Sequence, residues 1–480
     1  MNKKQANLTN YLTRHESNVL FRDAQGEQYR YSEISQLGSK RSFAETYRKL
    51  VFCLTDNDIG GLTGYLALLV ADAVPLMLGA NISSARLQYL ITSYKPKYVW
   101  LPESRKEDIN TSEYLERFAG YCLLDLHGPE IKIHDFLALL LATSGSTGSP
   151  KFVRLSHENL LSNAQSIVEY LGLDLDELPI TTLPPSYTYG LSIIHSHVLV
   201  GATIAVTKKT FFDREFWNFL RDVKATSFGG VPYHYEMLKK LRFTRMDLPS
   251  LRSLTQAGGR MEPELTKEYA THCKNRGIRF FTMYGQSEAT ARMSYLPPEK
   301  SINKAGSIGI AIPGGKLWLE DEKGRVIEEA DMVGELVYQG SNVFMGYAYS
   351  YEDLARGDER GGILRTGDVA KRDKDGDYYI EGRLKRFIKL FGYRINLLDV
   401  EKFLFDAGYT VACTGQDDCL EIYLPDSNES QATWIKKLIV DHLQVALPGV
   451  VVYGIQALPR NESGKTQYAE LKPQLGVKLA

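Results

Sequence analysis

The chain has 480 residues, 44% apolar and 24% charged, and its 57 Lys and Arg against 58 Asp and Glu leave a formal net charge of −1. That length allows two or three domains with substantial cores, and the composition is that of a folded globular chain rather than a disordered one. The balance lacks the basic excess that nucleic-acid and membrane-surface partners select, so small-molecule chemistry is the class to test. Five cysteines, Cys53, Cys122, Cys273, Cys413 and Cys419, are scattered without a CxxC pair. They outline neither a disulfide framework nor a zinc site and fit a reducing cytoplasm. No secretory signal is expected from the polar run Met1 to Asn7, and the apolar stretch 62–80, broken by Asp72 and Pro75, is too impure for a membrane span.

From about residue 47 short apolar runs alternate with helical patterns: Leu50-Val-Phe-Cys-Leu54, a helix-like 62–72, Ala73-Val-Pro-Leu-Met-Leu78 and Tyr98-Val-Trp-Leu101. That order predicts βαβ units in a mostly parallel sheet. Phe136 to Ala142 predicts a buried strand, Thr143 to Lys151 a Ser/Gly/Thr-rich loop, and a helix is expected from near Ser156. Strand, loop, helix is the order of a phosphate-binding turn. Gly145 and Gly148 let the backbone turn N–H groups inward, Thr143, Ser144, Ser146 and Thr147 add hydroxyl donors, and Lys151 adds positive charge. A plain surface linker is the competing reading of such a run. It is not a Walker A loop, because Lys151 is preceded by Pro150 and followed by Phe152. Gly464-Lys465-Thr466 fails as well, its earlier glycine position being Pro459.

After 180 further strands are predicted at 203–206, 227–228, 253–255 and 280–283, each ending near a Gly-rich or polar turn. Ligands of open α/β sheets bind at the carboxyl ends of strands, so Gly229-Gly230, Gly258-Gly259-Arg260 and Tyr284-Gly-Gln-Ser-Glu288 are expected to line one site. From about 305 to 382 the composition turns to Gly-punctuated β structure, and roughly a hundred residues then remain, enough for a small α+β domain.

Thr143 to Lys151, Met283-Tyr-Gly-Gln-Ser-Glu288, Arg365-Thr-Gly-Asp368, Gly382-Arg383 and Gly464-Lys465 occur in the order and approximate spacing of a known family. Over essentially its whole length the chain resembles the adenylate-forming (AMP-binding) superfamily, which includes acyl- and aryl-CoA synthetases, peptide-synthetase adenylation domains and carrier-protein ligases. The resemblance implies an α/β fold, with a large N-terminal domain, 1–384, of parallel-rich sheets carrying the β-rich subdomain. A small mobile α+β domain, 385–480, would follow, with Lys385 at the hinge. It implies ATP and Mg²⁺ as cofactors and CoA or phosphopantetheine as co-substrate. Thr143 to Gly148 and Lys151 would hold the β- and γ-phosphates, with Thr143 also catalytic. Tyr284 would stack on adenine, with Gly258, Gly259 and Arg260 along its edge and Gly285 and Gln286 beside it. Ser287 would approach the α-phosphate and Glu288 would ligate Mg²⁺, a hard cation that favours carboxylate oxygen. Asp368 would accept from the ribose hydroxyls with Arg383 nearby, and Lys389 matches a nucleotide contact. Lys465 would stabilise the charge that builds as pyrophosphate leaves. Tyr187, Tyr189, Gly190, Gly230 and Gly259 map to the acid pocket, and Phe391 and Gly392 to the thiol tunnel.

The chain departs from the family at Phe152, where a small residue is usual, and at Tyr187, where many CoA ligases carry histidine. Pro184 to Leu191 also lacks the aspartate that peptide-synthetase domains use to hold an α-ammonium. The expectation is therefore an ATP-dependent ligase joining a free carboxylic acid to a pantetheine thiol of CoA or an acyl-carrier protein. An amino-acid (D-alanine-type) carrier-protein ligase and a non-catalytic nucleotide sensor are the alternatives. His195 and His197 resemble an HxH metal pair but sit in an apolar run without a carboxylate. Asp373-Lys-Asp-Gly-Asp377 reads as a β-turn, since the twelfth position of a calcium loop would be Leu384. The basic cluster Arg383, Lys385, Arg386 and Lys389 is read as functional because it coincides with the hinge motif.

Overall fold

Leu50–Thr55 is buried at all six positions, the pattern of a strand covered on both faces. It lies within an eight-stranded sheet of the computed structural model, which describes residues 8–109, 113–142, 151–390, 393–416, 418–443, 447–460 and 466–480. Val74–Gly79 and Tyr98–Pro102 flank it in parallel, and Leu137–Ala142 pairs in parallel with Val74–Gly79. Helices Ile59–Val70 and Ser84–Tyr94 make the crossovers, with Asp58 and Ser83 capping Gly61 N and Arg86 N. The expected βαβ order thus forms the middle of the sheet. Both edges are antiparallel: Tyr121–Asp125 and Tyr114–Phe118 on one side, Phe152–Ser156 and Gly346–Ala348 on the other.

The expected strand–loop–helix order after Ala142 needs correction. Phe152–Ser156 is a strand that pairs antiparallel with Leu137–Ala142, and the helix His157–Leu171 starts only beyond it. All five of its residues are buried, so it belongs to the sheet. Ser156 then caps the helix by accepting from Asn159 N, while Asn159 accepts in return from Ser156 N. The phosphate-loop sequence therefore connects two strands rather than opening a helix.

A second sheet has five strands. Ser227–Gly230, Ser253–Gln256 and Arg279–Tyr284 run parallel, and Ser294–Leu296 and Ile310–Ala311 continue antiparallel. Gly230 pairs with Gln256 and Gln256 with Thr282, which brings the carboxyl ends of the parallel strands to one edge. Successive side chains of a strand point to opposite faces. Phe280 accordingly joins an aromatic core with Trp217 and Tyr235, whereas Phe281 and Met283 join a cluster with Tyr189 and Ile167.

The backbone packs as two units, one of residues 1–317 and 338–364, the other of 318–337 and 365–480. In the second unit the strand order is Val326–Ile327, Lys316–Glu320, Val333–Gln339, Ile363–Arg372, Tyr378–Arg383. The remainder of that unit has the two-stranded sheet Phe387–Leu390 and Tyr393–Asn396. It also has a four-stranded sheet, Ala412–Gln416, Cys419–Pro425, Val450–Ile455 and Val477–Lys478. Helices Leu397–Asp406 and Glu429–Leu443 close a core that includes Val400, Leu404, Ile422, Ile435 and Val452. The expected boundary at 384/385 falls inside this unit, just after Tyr378–Arg383. Among the described residues no helix is long and apolar enough to cross a membrane. All five cysteines are free.

Candidate active site

Glu288 lies in a short 3₁₀ turn, Ser287–Ala289, just beyond the carboxyl end of Arg279–Tyr284. The turn reaches the first sheet through Ser287, whose hydroxyl stands 3.5 Å from the Ala142 carbonyl, where the phosphate-loop sequence begins. Tyr347, on the edge strand Gly346–Ala348, donates its hydroxyl to Glu288 Oε1 at 2.8 Å. Burial pushes the Tyr347 phenol well above its ordinary pKa and the Glu288 charge adds to the shift, so near neutral pH it acts as a donor. The same ring carries Lys151 Nζ 3.9 Å from its centroid, and the Arg360 guanidinium 5.7 Å away. Lys151 and Glu288 thus meet on one phenol, a cation on its face and a carboxylate at its hydroxyl.

Tyr347 is held by a buried arginine. The Arg154 side chain is fully enclosed and pairs with Glu359 at 2.8 Å. It also donates to the carbonyls of Tyr347 at 3.2 Å, Arg356 at 2.5 Å and Gly357 at 3.2 Å. With every direction of the fork satisfied, the segment after Gly346 is fixed on Phe152–Ser156. The sequence reading missed Arg154, Tyr347 and Arg360. The only local signal was Gly346-Tyr347 after the apolar Val343-Phe-Met345.

The loop carrying Glu288 is equally fixed. A Cβ on Gly285 would be driven into the Ala291 carbonyl. Thr290 adopts a left-handed φ of 64°, unusual for a β-branched residue, and its hydroxyl donates to the Asn342 carbonyl at 2.6 Å. The Asn342 amide returns to Ala289 O at 2.8 Å, and Thr188 donates to Thr290 O at 2.7 Å. Backbone strain maintained by such a network is a recurrent property of functional loops. Glu288 Oε1 is occupied by Tyr347, and no other hydrogen bond among the described residues engages the carboxylate. No group of three or more His, Cys, Asp or Glu among the described residues could hold a metal alone. One carboxylate with an open edge suits a cation that completes its shell with phosphate oxygens and water.

Beside this turn, Gln286 donates to the Tyr284 hydroxyl at 3.2 Å, Gln256 donates to Gly259 O at 2.9 Å, and Arg260 is exposed. Helix Thr188–Val200 supplies Tyr189, which donates to Thr255 O at 2.9 Å. Burial raises the Tyr189 pKa to about 12, against the opposing charge of Arg292 and a hydrogen bond with Thr255. Tyr187 meets Tyr189 edge-on, with centroids 6.3 Å apart, and its phenol is also pushed up by burial. A Cβ on Gly230 would meet the Tyr235 ring at 3.0 Å, one on Gly259 the Pro232 ring at 3.2 Å, and one on Gly190 the Pro184 carbonyl. Close packing therefore uses the missing side chains at these three positions.

In the second unit, Asp368 is buried and its carboxylate pairs with Arg383 Nε at 2.7 Å. Gly367 precedes it with φ 69°, its N–H donating to Glu335, and Thr366 donates to Leu336 O. Arg386 differs from its basic neighbours: it pairs with Glu401 at 2.7 Å, donates to Cys413 O and stacks on Tyr468, 3.8 Å from the centroid. It is an internal tie of the C-terminal body rather than a free functional cation. Arg460 and Thr466 form an isolated antiparallel bridge, and Gln467 N donates to Pro459 O at 2.8 Å. Lys465 belongs to the segment between those bridge partners. That lysine, Thr143 to Gly148, Phe391 and Gly392 lie outside the described residues, as do the side chains of Lys385 and Lys389.

His195 and His197 point to separate partners. His195 Nε2 bonds to the Tyr65 hydroxyl at 2.7 Å, and His197 Nδ1 to the Ile193 carbonyl at 2.8 Å. Burial lowers their pKa values to about 3 and about 4, so both are neutral. Asp373 accepts from the N–H groups of Asp375 and Asp377, the bonding of a hairpin turn.

Residues 48–348 match the family model described as AMP-binding enzyme. The 2-succinylbenzoate–CoA ligase of Bacillus pumilus (strain SAFR-032) is 29% identical over 343 residues, covering 70% of this chain and 68% of that protein. The 2-succinylbenzoate–CoA ligase of Listeria innocua is 25% identical over 465 residues, 93% of this chain and 95% of the relative. In fold, the o-succinylbenzoate CoA synthetase of Bacillus subtilis in complex with its acyl-adenylate intermediate superposes with a TM-score of 0.76. It is 21% identical, and the match covers 96% of this chain and 98% of the other. The family match spans more than half of the sequence and contains the Glu288 turn, Tyr347 and Lys151, and the chain belongs to the AMP-binding enzymes, the adenylate-forming superfamily.

Proposed function

We propose that this chain is an AMP-forming acid–thiol ligase. A carboxylate oxygen attacks the α-phosphorus of ATP, the bond to pyrophosphate breaks, and an acyl-adenylate forms. The thiol of CoA, or of an acyl-carrier protein, then attacks the acyl carbon and AMP leaves with the bonding pair. The observation that carries this reading is the half-engaged Glu288 carboxylate, fixed by Tyr347 beside Lys151 where two sheets meet. The likeness to CoA ligases supports the thiol step.

Within this reading Glu288 offers its open oxygen to Mg²⁺, which supplies charge neutralisation for the phosphates. Lys151 and the donors of Thr143 to Gly148 hold the β- and γ-phosphates. Tyr284, Gly258, Gly259, Arg260, Gly285 and Gln286 form the adenine side, and Ser287 meets the α-phosphate. Asp368 takes the ribose hydroxyls, supported by Arg383. Lys465 opposes the charge that accumulates at the transition state. Residues 385–480 act as a small domain pivoting at Lys385, bringing Lys465 for the first step and the Phe391–Gly392 segment for the second. The five free cysteines fit a cytoplasmic setting.

The test is pyrophosphate release from Mg-ATP across aryl, acyl and amino acids, with and without CoA. Acid-dependent release is expected, with AMP turnover rising when CoA is present. ATP binding without release under any acid would favour a nucleotide sensor. Lys465→Ala should abolish adenylation while largely preserving thioester formation from presynthesised acyl-adenylate, and equal loss of both would sink the two-step assignment.

A further inference from the structure

Two arginines of the first unit are buried, Arg154 at 0% and Arg292 at 2% exposure, and they are treated very differently. Arg154 has a carboxylate and a ring of carbonyls. Arg292 pairs with no carboxylate among the described residues. Its Nη1 donates to the Tyr170 hydroxyl at 2.9 Å and approaches Met283 Sδ at 3.2 Å, while Nε is sealed from solvent with no partner. The guanidinium lies 5.1 Å from the centroid of Tyr189, within an aromatic and aliphatic cluster. His197 is held neutral, burial and the Arg292 charge both lowering its pKa to about 4. Of the arginines beside this cluster, Arg279 packs on Phe281 and donates to the Leu171 carbonyl, which leaves Arg292 as the enclosed cation.

A cation in this position is not an accident of a flexible chain. Asn163 donates to Arg292 O at 2.9 Å and Asn342 to the same oxygen at 3.1 Å, and Met293 N donates to Tyr284 O. The backbone that fixes Glu288 thus also fixes Arg292, four residues further on. A buried guanidinium without an anion is costly, and replacing it by an apolar side chain of similar size is commonly neutral or stabilising. Its presence against a candidate pocket tyrosine calls for a counter-charge that arrives with a ligand.

We propose that Arg292 receives a second carboxylate on the acid being activated, so that the substrate is a dicarboxylic acid rather than a simple monocarboxylic one. This rests on the ligase reading above. Arg292 is then a specificity-determining residue: its guanidinium charge pairs with the distal carboxylate, and the other carboxylate reacts with ATP. A site built around an otherwise unpaired polar group rejects analogues that leave it unpaired.

The experiment compares aliphatic and aryl dicarboxylic acids with their own mono-methyl esters, which keep size and lose one charge, in the pyrophosphate assay with the full chain. For the best acid, kcat/KM should exceed that of its ester by on the order of 100-fold. Arg292→Met should collapse that ratio toward about 1, and Arg292→Lys should restore part of it. A wild-type ratio near 1, or a ratio that survives Arg292→Met, would overturn the proposal. Thermal unfolding without ATP separates this failure from that of the ligase reading. Dicarboxylates should raise the wild-type Tm and leave that of Arg292→Met unmoved. If that shift occurs while no acid releases pyrophosphate, the anion site stands and the ligase reading falls. If Arg292→Met alone unfolds many degrees earlier, Arg292 is a structural member and the proposal is lost.

Discussion

Glu288 and Glu401 each accept a hydrogen bond from a tyrosine hydroxyl, and there the likeness ends. Glu401 in the C-terminal body receives Tyr468 at 3.2 Å, Arg386 at 2.7 Å and Cys413 N at 2.7 Å. Both its oxygens are filled, and both it and Arg386 are only 14% exposed. Although burial works against the charge of Arg386, Glu401 and Tyr468 hold its proton more firmly than usual. Among the described residues Glu288 has one phenol and an open edge. A saturated carboxylate fixes a fold, whereas a carboxylate held at one oxygen by a rigid neighbour is prepared for a ligand.

The contrast breaks most visibly at Glu401. Glu401→Ala leaves Arg386 charged, largely enclosed and without its anion, a loss of about 3 kcal/mol by the general cost of breaking a buried pair. Thermal unfolding should show the C-terminal body melting earlier, with hydrogen exchange accelerating over Leu397–Asp406. Unchanged protection there would mean that the pair is not a structural tie.

The sequence made the strand pattern of the first unit readable because fully buried strands appear as continuous apolar runs, as at Leu50–Thr55. The turns after Gly230, Gln256 and Tyr284 were readable because a parallel register aligns carboxyl ends. Phe152–Ser156 was not, since a short buried run between a Gly-rich loop and a capped helix has no period that tells strand from helix. Tyr347 and Arg154 were invisible for another reason. Their roles depend on contacts between positions 59 and 193 residues apart, which a local pattern does not encode. The basic run at 383–389 misled at Arg386 because charge says nothing about burial: its partner, Glu401, sits on a helix 15 residues away.

At the other carboxylate, Glu288→Gln keeps size and hydrogen bonding but removes the charge available to a cation. Acid-dependent pyrophosphate release should fall by on the order of 100-fold, with a Tm close to that of the parent, since no ion pair is broken. A large drop in Tm would place Glu288 in the same structural class as Glu401.

Tyr347→Phe is the smaller and sharper test. It keeps the ring on which Lys151 rests and removes only the hydroxyl that donates to Glu288 Oε1. Hydrogen bonds to charged groups contribute about 1.5–3 kcal/mol. Glu288 is partly open to water, which can replace the lost donor, so the low end applies: a loss of roughly 10-fold in adenylation. Because the defect lies in holding the carboxylate for its cation, added Mg²⁺ should recover much of the rate in Tyr347→Phe and little in Glu288→Gln. If Mg²⁺ rescues neither variant, the Tyr347 hydroxyl acts otherwise than by holding Glu288 for its cation. If the rate of Tyr347→Phe equals that of the parent at every Mg²⁺ concentration, Arg154 and the edge strand position the site without help from the phenol hydroxyl.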